Sequence, residues 1–150
     1  MVYPLAFYIA VCQYVYMVCI YCGQKTSTAI TRSSDSSPRT WRRHKCSSCK
    51  AVFTTRELPD YALSIAVQHR NGQISPFMAD KVFVSVFKSM THRKDPTCDS
   101  RGITDTAIDR ICKQQDNGII KKESLRRVIA DILQRFDDVA YVSYVAHHKD

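Results

Sequence analysis

Apolar and polar positions change rhythm twice along the chain. Residues 1–22 carry no charged side chain, and the apolar run over residues 2–21 has the length of a membrane span. Pro4, Gln13 and the tyrosines Tyr3, Tyr8, Tyr14, Tyr16 and Tyr21 interrupt it, and it runs into Cys19 and Cys22. A membrane partner is therefore not expected; a peripheral anchor is the alternative. Between residues 17 and 58 apolar positions are sparse and alternate only over short stretches. Residues 27–31, 40–45 and 51–55 read as strands, the first two joined by the polar turn Ser33-Ser34-Asp35-Ser36-Ser37-Pro38. Such a stretch is too small to build its own core without a staple.

Beyond the boundary at Pro59-Asp60 the rhythm changes again. Residues 61–69 read as a strand with Leu63, Ile65 and Val67 on one face, Asn71-Gly72 as a hairpin turn and Ile74 as the start of the return strand. Ser75-Pro76 is expected to open a helix, Ser as cap and Pro at its first position, with an apolar stripe of Ala79, Val82, Phe83, Val86, Phe87 and Met90. Residues 92–101 read as a polar connection. A second helix is expected over 104–115, burying Ala107, Ile108 and Ile111 and stopping at Asn117-Gly118. A third over 123–136 would turn Leu125, Val128, Ile129, Ile132, Leu133 and Phe136 inward, and a last one, from Asp137-Asp138, Val139, Val142 and Val145. The fold class is thus α+β: a small ribbon over 17–58, then a helical bundle with a β-hairpin cap over 59–150. Residues 1–16 form an apolar extension, and Met17 is the expected initiator.

Composition sharpens this picture. The chain has 150 residues, 45% of them hydrophobic and 24% charged, as in globular proteins. Of the net charge of +8, most sits in one place. Residues 17–58 hold Lys25, Arg32, Arg39, Arg42, Arg43, Lys45, Lys50 and Arg56 against only Asp35 and Glu57, whereas the rest is nearly balanced. A compact basic module fits a polyanionic partner; a merely solvated face is the alternative.

Four of the seven cysteines form two pairs, Cys19-x2-Cys22 and Cys46-x2-Cys49; Cys12, Cys98 and Cys112 stand alone. Each pair places two thiolates on one side of a tight knuckle, and Gly23 lets the backbone bend around sulfur. Two knuckles close a tetrahedron around one Zn2+ and leave no open position for substrate, so a structural ion is expected rather than iron or a redox couple. With no leader-like segment, metal binding in a reducing cytoplasm is expected over a disulfide framework.

Thr40-Trp41-Arg42-Arg43-His44-Lys45 runs directly into Cys46. Alternation sends Arg42 and His44 to one face and Arg43 and Lys45 to the other. Arg32, Arg39, Arg42, Arg43 and Lys45 are the candidate nucleic-acid contacts, since guanidinium groups span phosphates or read guanine edges. Trp41 is read as part of the ribbon's own core, with base stacking as the alternative.

These residues resemble the NrdR-type transcriptional repressors of ribonucleotide reductase genes, over about residues 17–148. Met17-Val18-Cys19-Ile20-Tyr21-Cys22-Gly23 looks like the start of that family. Arg42-Arg43-His44-Lys45-Cys46-Ser47-Ser48-Cys49 with Phe53-Thr54-Thr55-Arg56-Glu57 looks like its arginine strand and second knuckle, and Asp137-Asp138-Val139-Ala140-Tyr141-Val142 like its C-terminal motif. The middle resembles an ATP-cone, whose hairpin usually reads Val-x-Lys-Arg-Asp-Gly, then Pro-Phe and a helical Lys. Here those positions are Val67, Gln68, His69, Arg70, Asn71 and Gly72, then Pro76-Phe77 and Lys81.

The resemblance implies double-stranded DNA upstream of reductase genes and adenine nucleotides (ATP or dATP) as partners. It also implies homo-oligomers formed through the ATP-cone, with Val67, His69, Arg70, Gly72 and Lys81 at the nucleotide. His69 replaces the usual Lys, Ser75 an acidic residue, Thr31-Arg32-Ser33 the usual Asp-Ser-Arg and Ser143 an Arg, so nucleotide affinity or ATP/dATP discrimination is expected to differ. The alternative is an accessory protein that binds ribonucleotide reductase, or another protein, through the ribbon. Catalysis is not expected: the sequence shows no P-loop and no acid–base pair.

Overall fold

A computed structural model describes residues 16–34 and 37–148. Nearly all of the expected extension, Cys12 included, and the centre of the Ser-rich turn, Asp35-Ser36, lie outside the described residues. The chain divides into two compact units, Met1–Leu58 and Pro59–Asp150.

The first unit is an antiparallel sheet of β1 (Thr26–Ser34), β2 (Ser37–Cys46) and β3 (Val52–Glu57), with β2 in the middle. β1 and β2 extend further than the apolar alternation indicates. Thr26, Thr28, Ile30 and Thr31 are β-branched and favour the pleat, and the ladder continues through Ser33 opposite Thr40 and Ser34 opposite Ser37. Among the described residues the hydrophobic core of this unit is Cys19, Cys46 and Phe53, with Ala51 against them.

The second unit packs four helices around one core, with a short helix and a small sheet at its edge. Residues 61–64 are not strand but the helix α1 (Tyr61–Ser64). Asp60 Oδ1 accepts from the amides of Ala62 at 3.1 Å and Leu63 at 3.3 Å, which starts a turn that the apolar alternation conceals. Leu63 is accordingly exposed, while Ile65 and Val67 are buried. β4 (Ala66–Gln68) and β5 (Ile74–Pro76) form the expected hairpin. Its loop is Arg70-Asn71-Gly72: Gly72 N–H donates to His69 O, His69 N–H donates to Gln73 O, and Gly72 alone is left-handed, at φ 81°. This is the three-residue hairpin with a left-handed glycine rather than a two-residue Asn-Gly turn.

Ser75-Pro76 belongs to β5 and does not open the next helix. Pro76 lies opposite Ala66, and α2 (Ala79–Ser89) begins after Met78 with no side-chain cap. α3 (Pro96–Gln114) starts inside the expected polar connection. Asp95 accepts from the Cys98 amide at 3.0 Å and Pro96 occupies the first turn, so Ser100, Ile103 and Thr104 join the buried side. A sequence-silent strand, β6 (Ile119–Lys121), pairs parallel with β4, giving the order β5-β4-β6. Gly118 before it, at φ 79°, has Ser64 O only 3.1 Å from where a Cβ would stand, so that bend requires glycine.

α4 (Lys122–Phe136) buries Val128, Ile129, Ile132 and Leu133 as expected, but Phe136 is exposed beneath the Arg93 guanidinium. α5 (Asp138–His147) buries Ala140 and Tyr144 instead of the expected face; Val139 and Val142 are 61% and 64% exposed. The anchor of α5 explains the rotation. Asp137 accepts from the Ala140 amide at 2.8 Å, from His92 Nε2 at 3.1 Å and from Arg93 at 3.2 Å, which fixes the helix phase before its first turn.

The Ala140 amide, with His92 and Arg93 beside it, holds the Asp137 carboxyl below its ordinary range. A lowered folded pKa contributes stability above the ordinary carboxylate pKa and loses it as pH falls through the folded value. Asp137→Ala is expected to lower the stability of the second unit by about 1–2 kcal/mol at neutral pH. The difference between parent and variant should shrink in strong acid, as urea melts at both pH values would read.

Candidate metal centre, basic face and ligand pocket

The two cysteine knuckles are brought together across the first unit. Cys19 Sγ lies 3.6 Å from Cys49 Sγ, Cys22 Sγ 3.6 Å from Cys46 Sγ, and all four sulfurs lie within 4.8 Å of one another. Zn–S bonds of about 2.3 Å in a tetrahedron imply sulfur–sulfur edges of about 3.8 Å, so the set fits one zinc ion. The Gly23 amide donates to Cys19 O at 2.9 Å with Gly23 at φ 71°, closing the first knuckle, and Cys46 N–H donates to Ala51 O at 2.9 Å in the second. The Cys49 amide aimed at Cys46 Sγ pulls that thiol down to about 7, and the Tyr21 amide lowers Cys19. Cys49 stands at about 12: the Ala51 amide lowers it, but the neighbouring sulfurs and burial together outweigh that. Such a cluster becomes fully thiolate only around a cation.

The register of β2 separates two faces. On one, His44 is buried, stacks on Phe53 at 5.3 Å and bonds Thr55 Oγ1 through Nε2 at 2.8 Å. Arg42 on this face is tied to Glu57 at 2.7 Å, both exposed. On the other face Trp41 lies opposite Arg32 of β1 and Arg56 of β3, and Arg43 opposite Ile30 and Thr54. Of these, Ile30, Arg32, Trp41, Arg43 and Thr54 line, together with Ser33, a shallow hollow of about 480 Å³. Lys45 follows on the same face, opposite Val52. Trp41, expected in the ribbon's own core, thus lies outside the buried Cys19–Cys46–Phe53 cluster.

In the second unit a cavity of about 390 Å³ opens between the hairpin, α2, α4 and α5. Val67, Phe77, Val82, Leu125 and Ile129 give it an apolar wall, and His69, Lys81, Lys122, Arg126 and His148 a cationic or titratable rim. His69 Nε2 bonds Ser75 Oγ at 2.9 Å, so the two departures from the ATP-cone pattern are partners. Ser85 Oγ bonds His148 Nε2 at 2.8 Å. Burial, then Arg126 and its neighbours, lower His148, and burial pushes Tyr144 up to about 12. A shallower hollow of about 250 Å³ holds Arg70 with His69, Lys122, Glu123 and Arg126. There Arg70 Nε donates to Glu123 Oε1 at 2.9 Å.

The chain is 31% identical over 138 residues to the transcriptional repressor NrdR of Leptothrix cholodnii, covering 89% of this chain and 90% of the relative. It is 29% identical over 141 residues to that of Corynebacterium diphtheriae (89% and 85%), and 27% identical over 134 residues to that of Halorubrum lacusprofundi (89% and 82%). The chain belongs to the NrdR family of transcriptional repressors. No family model matches it.

In this NrdR-family chain the residues singled out from sequence sort by environment. Arg32, Arg43 and Lys45 share the Trp41 face, whereas Arg42 faces the other way against Glu57; Arg39 is half-buried in β2. Val67, His69 and Lys81 line the larger cavity, while Arg70 sits in the adjoining hollow and Gly72 in the hairpin loop. Sequence reasoning missed Arg56, whose guanidinium lies 6.0 Å from the Trp41 ring centre. The pairing of β3 with β2 supplies that contact, and strict alternation back from Cys46 gives the parity that would have found it. It also missed Lys122, Arg126, Tyr144 and His148, which carry no signal beyond ordinary helical charge and amphipathicity. Among the described residues no helix is long and apolar enough to cross a membrane.

Proposed function

We propose that this transcriptional repressor acts on ribonucleotide reductase genes, binding double-stranded DNA through residues 17–58 and adenine nucleotides, ATP or dATP, through residues 59–150. The observation that carries the reading is the pairing, in one NrdR-family chain, of a four-thiol cluster bracing an arginine-bearing sheet with a separate cation-rimmed cavity. Cys19, Cys22, Cys46 and Cys49 hold one Zn2+ per chain, which gives the sheet a fixed shape and takes no part in chemistry. Arg32, Arg43 and Lys45, joined by Arg56, supply phosphate and base-edge contacts. Lys81, His69, Lys122 and Arg126 face the phosphates of a nucleotide whose base lies against the apolar wall.

Nucleotide controls repression by favouring one homo-oligomer over another, which changes the spacing at which paired ribbons meet operator half-sites. This requires a nucleotide with different affinity for the assemblies, since equal affinity shifts nothing. The protein works in the cytoplasm and turns over no substrate. The test is a mobility-shift assay on the region upstream of the host's reductase genes, with ATP or dATP and with or without chelator. A metal-dependent shift that differs between nucleotides supports the reading; absence of any shift defeats it. With about three to five phosphates neutralised per ribbon, the slope of log affinity against log salt should be about −3 to −5. A flat salt response would remove nucleic acid as the partner.

A further inference from the structure

We propose that the hollow around Trp41 receives an unstacked nucleobase, so that the ribbon's hold on double-stranded DNA includes a locally opened step, a contact that a single strand also satisfies. This rests on the nucleic-acid reading above and names the ligand chemistry of that face.

The two faces of the sheet differ in what their residues still have to offer. Behind β2, His44 is covered by Phe53 and Thr55, and Arg42 is held by Glu57. That side is filled and its cation paired. In front, an indole stands at the centre of the middle strand, half-exposed, with the half-exposed Ile30 nearby and Arg32, Arg43 and Arg56 around it, all exposed. Among the described residues no apolar side chain of the small core covers it, that core being Cys19, Cys46 and Phe53.

A flat aromatic surface ringed by cations is complementary to the face of a base flanked by phosphates. In an intact duplex the base faces are covered by their neighbours and only edges reach the grooves. The indole face therefore gains a partner only where a base has left the stack, as in a single strand or at an opened step. The Arg56 guanidinium lies over the indole, 6.0 Å from its centre, so an incoming base takes its place on that face or stacks on the opposite one.

Trp41 is the single tryptophan of the chain, so its emission reports this hollow alone. The zinc-loaded full chain is titrated with labelled oligothymidylate, with a blunt duplex and with a duplex carrying one bulged nucleotide. Label anisotropy measures binding separately from Trp41 emission. Oligothymidylate, the bulged duplex or both are expected to quench Trp41 more than the blunt duplex, and which of them does so identifies the source of the base. Trp41→Ala is expected to weaken that binding about ten- to a hundredfold, while Trp41→Phe keeps most of it. If Trp41→Ala loses its metal, the emission titration of the unaltered chain decides alone. Rising anisotropy with unchanged emission, or quenching equal on the blunt duplex, overturns the base site while leaving the nucleic-acid reading intact. No rise in anisotropy with any of the three overturns both.

Discussion

Cys46→Ser is expected to release the metal and unfold residues 17–58, abolishing operator binding while residues 59–150 keep their helical signal. The argument is one of magnitudes. Among the described residues the first unit buries Cys19, Cys46, Phe53 and His44, and two of these are themselves thiol ligands. Burying one aromatic ring stabilises by about 1.5–3 kcal/mol, whereas structural zinc contributes about 10–16 kcal/mol in zinc-finger peptides. The ion therefore contributes several times what that ring does to holding β1, β2 and β3 together.

Cys46 is the ligand whose loss reaches furthest. It is fully buried, ends β2, and is the residue through which the ion holds the strand bearing Trp41 and Arg43. The second unit has its own core of Phe77, Val86, Met90, Ile111, Ile129 and Leu133 and does not depend on the ion. Metal content, Trp41 emission and far-ultraviolet circular dichroism should therefore separate: zinc and the tryptophan environment lost, most helix retained. A variant that keeps its zinc and its Trp41 spectrum would refute the structural role of the cluster.

What could be read in the sequence depended on how local its cause is. The knuckles were legible because two residues between cysteines fix where the sulfurs go, whatever surrounds them. α4 was legible because fifteen residues of helical periodicity outweigh local ambiguity. The parity of β2 was legible too, as Arg42 and His44 do face away from Arg43 and Lys45. What alternation does not carry is which face holds the core; Phe53 across from His44 decides that, and it placed Trp41 outside.

The short segments failed for the opposite reason. Residues 61–64 alternate like a strand, yet one capping carboxylate makes them a helix turn. β6 has three residues and exists because β4 lies beside it, a partner more than fifty positions away. The inward face of α5 follows from Asp137 reaching back to His92 and Arg93, which no periodicity within the helix contains. Lys122 and Arg126 carry no signal in the sequence beyond charge at the start of α4; only the fold sets them in one cavity with Lys81 and His69.

That last juxtaposition leads to the second large effect. Lys81→Ala is expected to weaken binding of ATP and dATP by about ten- to a hundredfold, the loss of one charge-assisted hydrogen bond of about 1.5–3 kcal/mol. Arg126→Ala should cost a similar factor, and the two losses should add less than fully because both cations face one phosphate chain. Arg70→Ala is the discriminating control. Its guanidinium is 62% exposed and bonded to Glu123 in the neighbouring hollow, so its removal is expected to change affinity only a few-fold. Calorimetric titration of the zinc-loaded chain and the three variants, at fixed ionic strength, measures each factor. If Arg70→Ala abolished binding while Lys81→Ala left it intact, the nucleotide would lie over the hairpin loop and not in the cavity between α2, α4 and α5. If all three bound as the parent does, the cationic rim would hold no phosphate, and control of repression by adenine nucleotides would need another site.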